Sequence, residues 1–299
     1  MGLARFSAFC LAALLFCGGA WAKTSVETTA DTAARYPFYL AQKGSVKIYV
    51  LGSMHLGKLG EALNQKIVSA LRHSSKLVLE VAPSELKSVK IDDLLCEAPC
   101  LKETIGEELF ERILERYPAT RFMSDELERM PLWYVGALLS VFDYMEERFL
   151  PQYGTEELLA RKAKGIKIEG LESANEQFEA MASISTKTQI ELLEVYLNCE
   201  PAQLKQYLSD MYALFLEGDA DRLYKWYATT NLAEGVSQAA TDEFNEKLIF
   251  ARNARFAERL KARIDGKKPI FLAIGALHLG GDKGVLELLR KEGYKIKRL

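Results

Sequence analysis

The sequence contains 299 residues, and its 39 lysines and arginines nearly balance its 41 aspartates and glutamates, giving a net charge of −2. A surface that binds nucleic acid needs a basic excess, so this balance argues against such a partner. Hydrophobic residues make up 49% of the chain, which is sufficient for one large globular domain or two small ones.

The N-terminal segment, residues 1–22, has the pattern of a secretory signal peptide. Arg5 supplies a positive charge, residues 6–16 are apolar, and Ala20-Trp21-Ala22 resembles a cleavage site. We expect an exported protein, periplasmic or secreted, that is cleaved near Ala22. An uncleaved leader or a lipid anchor through Cys17 is the alternative. No later segment is apolar enough to predict a transmembrane helix.

The first predicted unit consists of a β-hairpin, a helix and a strand. Residues 37–42 and 45–51 form the hairpin around Lys43-Gly44. Apolar residues with helical spacing follow over residues 61–72, and residues 76–81 have the composition of a buried strand. Because a helix separates the strands on either side of it, we expect those two strands to be parallel.

The middle of the chain, roughly residues 84–264, is predicted to be mostly helical, with a short strand at residues 166–169. The helix predicted at 132–149 is apolar over much of its surface, so it is either buried or lines a ligand groove. Ser173 and Glu176 form a predicted capping box. The last helix of this region is expected over residues 241–264, capped by the threonine or aspartate at its start.

The C-terminal part repeats the β-α-β pattern, with strands at residues 270–274 and 294–299 around a helix at 283–291. We therefore predict an α/β (α+β) fold in which N- and C-terminal β-α-β units share a mixed sheet and form a pseudo-repeat. A large helical insertion separates the two units. No low-complexity linker divides the chain, so we expect residues 23–299 to form a single domain.

Two cysteines, Cys96 and Cys100, are separated by three residues. In an oxidising compartment they could close a small disulfide loop. Free thiols are a second possibility. A metal or redox motif is a third, although the C-x3-C spacing contains a proline and the chain has no second cysteine pair.

A short motif occurs twice, as Gly52-x-x-His55 and as Gly275-x-x-His278, each after an apolar strand and before a helix. Ligands of α/β sheets bind at the carboxyl ends of strands, so we expect the two motifs to form one composite site. Glycine permits a tight turn and close approach, and imidazole suits metal ligation or proton transfer at neutral pH. The alternative is that both histidines only stabilise turns.

Further polar residues could complete this site. Glu80 ends an apolar strand, where a carboxylate is costly unless a cation, a metal or a structural salt bridge pairs with it. Glu172 follows a short strand and a glycine, with Glu169 as its rival. Arg252 and Asn253 could bind a substrate carboxylate or orient the two glutamates. The alternative is that they lie on a solvated helix face.

Two histidines and two glutamates, His55, His278, Glu80 and Glu172, form a plausible ligand set for Mn²⁺, Co²⁺ or Zn²⁺. Such a set would leave an open position for a water molecule that attacks a carbonyl group. The sequence lacks the H-E-x-x-H helix of common metalloproteases, the G-x-S-x-G elbow, the P-loop and the G-x-G-x-x-G loop.

Taken together, residues 51–55, 79–80, 170–172, 252–253 and 274–289 resemble the TraB/GumN family in their motifs, order and spacing. The resemblance covers nearly the whole mature chain. This family is similar to Tiki-type metalloproteases and, more distantly, to haem-binding ChaN-like and erythromycin-esterase-like proteins.

The resemblance implies an α/β fold with a pseudo-repeat and a metal-dependent hydrolase site. Within that site it implies metal binding by His55, Glu80, Glu172 and His278, with one of the two glutamates also acting as a general base. Arg252 and Asn253 would be supporting polar groups, together with the two motif glycines, Gly52 and Gly275.

The favoured hypothesis is an exported metal-dependent hydrolase, with a peptidase as the favoured type, that acts on a peptide or a small molecule. The alternative is a non-catalytic protein that binds haem, a peptide or a signalling molecule in the same pocket, with the helical middle as a lid. A purely structural role would leave the repeated motif unexplained.

Overall fold

The structure of the protein is a computed structural model that describes residues 36–230, 236–264, 266 and 268–299. The predicted signal peptide lies outside these residues. The described strands form a mixed six-stranded sheet and a small two-stranded sheet. In chain order the strands are β1 Phe38–Lys43, β2 Val46–Ser53, β3 Gly57–Lys58, β4 Lys76–Leu79, β5 Phe149–Leu150, β6 Lys167–Gly170, β7 Ile270–Gly275 and β8 Lys295–Arg298.

The large sheet has the strand order β6-β4-β7-β2-β1-β8, and the smaller sheet pairs β3 with β5. Strands β6, β4, β7 and β2 are parallel neighbours, whereas β1 is antiparallel to both β2 and β8. The predicted hairpin and the predicted mixed sheet are thus confirmed. The C-terminal strand β7 lies between the two N-terminal strands β2 and β4, and this order places the carboxyl ends of strands from both halves of the chain side by side.

Helices occupy most of the chain between β4 and β7, as the sequence predicts. In chain order the α-helices are α1 Gln65–Arg72, α2 Pro83–Ser88, α3 Leu101–Ile105, α4 Glu107–Arg116, α5 Ser124–Glu128, α6 Leu132–Glu146, α7 Thr155–Lys162, α8 Ala174–Ala182, α9 Thr186–Asn198, α10 Pro201–Glu217, α11 Ala220–Thr229, α12 Gln238–Asn245, α13 Ala251–Lys261 and α14 Val285–Lys291.

Side-chain caps explain where several helices begin. The Asn64 side chain accepts a hydrogen bond from the Ile67 amide, so α1 begins at residue 65 and not at 61 as predicted. The predicted capping box of Ser173 and Glu176 is present at α8. The predicted cap of the last long helix is wrong. The helix begins at Gln238, before Thr241, and the Ser237 side chain caps it by accepting a hydrogen bond from the Ala240 amide.

One π-helical turn, Glu246–Phe250, connects α12 to α13 without a break in the helix. A π-helical turn inserts a residue into the helical repeat and is frequent at functional sites. Its effect is to change which side chains of α13 face inward. Arg252 and Asn253, the second and third residues of α13, are both buried.

The central strand β7 is buried on both faces. Phe271 and Ala273 pack in the larger core cluster, which contains α6 and most of the helical middle. The alternate residues Leu272 and Ile274 pack in a second cluster with α13 and α14. Side chains of a strand alternate between the two faces of a sheet, so helices cover both faces of this one. Helix α6 is largely buried, as its apolar composition predicts.

Cys96 and Cys100 form a disulfide just before α3. Among the described residues, no helix combines the length and the apolar character needed to cross a membrane. The division of the chain into a leader and one domain stays a prediction.

Candidate functional site

The two Gly-x-x-His motifs leave the sheet as neighbours. In the parallel pairing of β2 with β7, Gly52 lies opposite Ile274 and Ser53 lies opposite Gly275. A Cβ atom on Gly52 would lie 2.9 Å from the Pro37 Cβ and 3.1 Å from the Ala276 Cα, so a larger residue does not fit there. The glycine therefore allows the second motif to pack directly against the first.

Gly275 brings a carboxylate to the end of β7. Its amide donates a hydrogen bond of 2.6 Å to Glu80 Oε1. A Cβ atom at this position would lie 3.2 Å from the same oxygen and 3.3 Å from the His278 Cδ2 atom. Glycine is thus the residue that leaves room for Glu80 and His278 together.

The centre of the polar cluster is the buried guanidinium of Arg252. Its Nη2 donates to Glu80 Oε2 at 2.5 Å and to Glu172 Oε1 at 2.5 Å. Its Nε donates to Glu172 Oε1 at 3.0 Å, and its Nη1 donates to the Leu248 carbonyl oxygen at 3.1 Å. The Nη1 atom also lies 3.2 Å from His278 Nε2. One side chain therefore connects three of the four predicted ligands.

His278 is neutral, and its tautomer follows from its neighbours. Asn253 Nδ2 donates to the Lys283 carbonyl oxygen at 2.9 Å, so Asn253 Oδ1 is the atom that lies 2.7 Å from His278 Nδ1. Nδ1 must therefore carry the proton, and Nε2 keeps its lone pair. Burial lowers the pKa of His278 to about 3, helped by the charge of Arg252 and opposed by that of Glu80.

Glu80 is ionised although it is buried. Burial raises its pKa, but the charges of Arg252, His278 and His55 and the Gly275 amide outweigh burial and lower the pKa to about 2. Because His278 itself is neutral at pH 7, Arg252, the protonated His55 and the Gly275 amide are the partners that stabilise this carboxylate. The ionised oxygens of Glu80 can accept a proton or a cation.

Glu172 faces Arg252 and does not line the cavity. Its side chain is fully buried, and Arg255 Nη2 lies 3.7 Å from its second oxygen. Burial raises the pKa of Glu172, and the charge of Glu80 adds to this rise, whereas Arg252 opposes it. The rival Glu169 lies elsewhere, in ion pairs with lysines and an arginine that include Lys76 at 3.3 Å.

His55 is held by a residue that the sequence did not single out. Its Nδ1 lies 3.1 Å from Glu156 Oε1, and the Ser53 hydroxyl also donates to that oxygen. Burial lowers the pKa of His55, but the charge and the hydrogen bond of Glu156 outweigh burial and raise it to about 9. At pH 7, therefore, His55 is protonated and carries a positive charge, whereas His278 is neutral. Glu156 is 101 residues from His55, and no sequence pattern connects the two.

A cavity of about 120 Å³ joins these groups. Its polar wall contains both motif histidines, Glu80, Arg252 and Gln177, whose amide lies 3.4 Å from Glu80 Oε2. The rest of the lining is predominantly apolar. These apolar lining residues include Met181, Met211, Phe215, Leu223, Phe244, Leu248, Ile249 and Leu277. A small apolar group could therefore bind next to the ionised carboxylate and the neutral imidazole.

Among the described residues, no three His, Cys, Asp or Glu side chains converge as a ready metal site. The Arg252 guanidinium contacts Glu80, Glu172 and His278, and it therefore occupies the space in which these three side chains would have to meet. The donor types nevertheless fit a divalent metal, because Glu80 is ionised and His278, which lines the cavity together with His55, keeps an unprotonated Nε2 that accepts a hydrogen bond from Arg252 Nη1. The contacts of Glu172 fit a supporting role, since its oxygens bind arginine.

Comparisons with known proteins identify a family and two relatives that match part of the chain. The model of the TraB/PrgY/gumN family matches residues 37–298. Metalloprotease TIKI1 of Homo sapiens is 32% identical over 92 residues, which cover 29% of this chain and 18% of the human protein. Metalloprotease TIKI1 of Danio rerio is 35% identical over 63 residues, which cover 20% of this chain and 13% of that protein. The match thus spans less than a fifth of either relative. No solved structure matches the chain significantly.

Proposed function

The chain belongs to the TraB/PrgY/gumN family, and from this premise we propose that it is a metal-dependent hydrolase that cleaves peptides. The limited similarity to TIKI1 metalloproteases supports the reaction class. The observation that carries the proposal is the pairing of an unprotonated His278 Nε2 with an ionised Glu80 in the lining of one cavity.

His55, Glu80 and His278 would hold the metal, and binding would require His55 to release its Nε2 proton. Zn²⁺, Mn²⁺ and Co²⁺ suit these nitrogen and oxygen donors, and such an ion supplies a Lewis acid that polarises a carbonyl group. Asn253 fixes the His278 tautomer through the 2.7 Å contact to Nδ1. Outer partners of this kind orient ligating histidines in metal sites.

Arg252 orients Glu80 and can act on the substrate. Its guanidinium donates to Glu80 Oε2 and to Glu172, and the Gly275 amide donates to Glu80 Oε1, so both Glu80 oxygens are held in place. A buried cation at this place stabilises negative charge that develops on a substrate oxygen. Glu80 can accept a proton from the attacking water.

The apolar lining favours a peptide with an apolar side chain at the cleavage site. An apolar cavity of about 150 Å³ in another protein binds benzene, and the cavity here measures about 120 Å³. A leucine or methionine side chain has a comparable size. We infer that the protein acts after export, because a disulfide between Cys96 and Cys100 suits an oxidising compartment.

The test uses the full chain, stripped of metal and then titrated with Zn²⁺, Mn²⁺ and Co²⁺ by calorimetry. Cleavage of a peptide library is followed by mass spectrometry with each ion. His278→Ala should abolish both binding and cleavage. His73→Ala is the matched control, because His73 is exposed and bonds only its own helix at the Ser69 carbonyl. Equal binding and equal cleavage by the His278→Ala variant and the wild type would refute the proposal.

A second candidate is a non-catalytic protein that binds a peptide or another ligand in the same cavity. The observation that favours it is Arg252, whose guanidinium forms ion pairs with both Glu80 and Glu172 and so already occupies their oxygens. This candidate predicts ligand binding that chelators leave unchanged and no product in the library experiment. Haem binding would in addition give the visible absorption band of a bound haem.

A further inference from the structure

Glu156 is a polar residue next to the candidate site to which the proposed mechanism assigns no role. It occupies the first turn of α7. Its Oε1 lies 3.1 Å from His55 Nδ1 and accepts a hydrogen bond from Ser53. Its Oε2 is buried and has no hydrogen-bond partner among the described residues. A buried carboxylate oxygen without a partner is costly, so helix stability alone does not explain this placement.

The neighbouring residue Glu157 shows what an ordinary acidic residue in this turn does. Its side chain is 37% exposed and lies 3.9 Å from Arg161, one turn further along the helix. Acidic residues stabilise the first turn of a helix through the helix dipole, and Glu157 is sufficient for that purpose. The carboxylate of Glu156 is instead directed at His55.

Backbone contacts fix the start of α7 against the first motif. The Thr155 amide donates to the Met54 carbonyl oxygen at 2.8 Å, and the Met54 amide donates to Thr155 Oγ1 at 3.2 Å. A Cβ atom on Gly154 would lie 2.1 Å from the His55 carbonyl oxygen, so only glycine allows this approach. The position of Glu156 relative to His55 is therefore set by the main chain.

We propose that Glu156 is a positioning residue that holds the Nδ1–H of His55, so that His55 Nε2 is the nitrogen from which a metal in the cavity displaces the proton. This inference rests on the proposed metal-dependent function. Asn253 holds the Nδ1–H of His278 in the same manner. The two motifs thus use matched arrangements, one with an amide oxygen and one with a carboxylate. Nothing in the spacing of the motifs reveals either partner.

The test measures the histidine rings and metal affinity separately. The chain contains three histidines, so long-range ¹H–¹⁵N spectra of the labelled, metal-free full chain resolve each imidazole, with His73 as an internal reference. In Glu156→Ala, the His55 ring nitrogens should change their shifts, whereas those of His278 and His73 should not. Glu156→Gln retains an oxygen that can accept a hydrogen bond from Nδ1, so its His55 ring-nitrogen shifts should lie closer to those of the wild type.

Metal affinity supplies the second readout. Loss of an outer partner of a ligating histidine weakens metal binding by about 10- to 100-fold, so Zn²⁺ binding to Glu156→Ala should weaken by about that factor. Glu156→Gln should lose less of its Zn²⁺ affinity, and the control Glu157→Ala should bind Zn²⁺ as tightly as the wild type does.

The two readouts separate the possible failures. If wild-type protein binds no Zn²⁺, Mn²⁺ or Co²⁺, the proposed metal function fails, and the ring spectra still decide whether Glu156 positions His55. If the wild type binds metal and Glu156→Ala leaves both the His55 shifts and the Zn²⁺ affinity unchanged, the inference about Glu156 is overturned.

Discussion

Replacing Arg252 with methionine tests whether this residue neutralises the buried cluster. The side chains of Arg252 and Glu80 are each 7% exposed, and that of Glu172 is 0% exposed. Removing one partner of a buried ion pair leaves a buried charge uncompensated and typically costs about 3–5 kcal/mol. We therefore expect Arg252→Met to lose about 3–5 kcal/mol of unfolding free energy at pH 7.

The pKa of Glu80 leads to a similar magnitude for the contribution of this ion pair to the unfolding free energy. It falls from 4.5 to about 2 in the folded protein, and after the opposing effect of burial Arg252 is the largest contributor. At about 1.4 kcal/mol for each pKa unit, this difference corresponds to roughly 3 kcal/mol. A lowered carboxyl pKa stabilises the fold above the unfolded value of 4.5, and that stabilisation is lost as the pH falls toward 2. The difference in unfolding free energy between the wild type and Arg252→Met should therefore be smaller at pH 3 than at pH 7.

The assay is urea unfolding followed by circular dichroism at pH 7 and at pH 3. Arg255→Met is the matched control, because Arg255 is 39% exposed and lies 3.7 Å from Glu172. Exposed ion pairs contribute about 0–1 kcal/mol, so this variant should lose no more than that. A loss below about 1 kcal/mol for Arg252→Met at pH 7, or an equal loss at both pH values, would refute the reasoning.

Three further predictions concern the site. Asn253→Ala removes the acceptor of the His278 Nδ1–H, so Zn²⁺ affinity in calorimetry should fall by about 10- to 100-fold, and an unchanged affinity would contradict the assigned tautomer. Gly275→Ala places a Cβ atom 3.2 Å from Glu80 Oε1; peptide cleavage should decrease while circular dichroism shows a folded protein. Met181→Ala enlarges the cavity and should cost about 2–5 kcal/mol in urea unfolding, while kcat/KM should shift toward peptides with larger apolar side chains; unchanged selectivity would place the substrate elsewhere.

The sequence predicts those parts of the site that follow from local patterns. The Gly-x-x-His repeat is visible because each copy follows its own strand, and strand ends carry ligand sites. Glu80 is visible because an ionised residue interrupts an apolar strand. The structure places the second motif beside the first, since β7 pairs with β2 over six residues from Ile48 to Ser53.

The remaining contacts depend on long-range packing that no local pattern reports. The sequence did not reveal that β7 separates β2 from β4, because strand order is set by packing across the whole chain. It also did not reveal the π-helical turn before Arg252 or the buried contact of Glu156 with His55. Glu172 was expected as a metal ligand because it follows a strand, whereas its oxygens bind the guanidinium of Arg252.

The charges of the cluster explain why it suits a cation. Two buried carboxylates, Glu80 and Glu172, share one fully buried cation, Arg252, and the partly exposed Arg255 lies only near the second carboxylate. Low-polarity surroundings make an unmatched buried charge costly, so the cluster has two ways to reach balance. One is a proton on Glu172, which its raised pKa favours. The other is an additional cation beside Glu80, on the cavity side, where His278 presents an unprotonated nitrogen. A cation that enters this cavity therefore meets a carboxylate already ionised and a histidine already free of its Nε2 proton, whereas His55 must release a proton to join them.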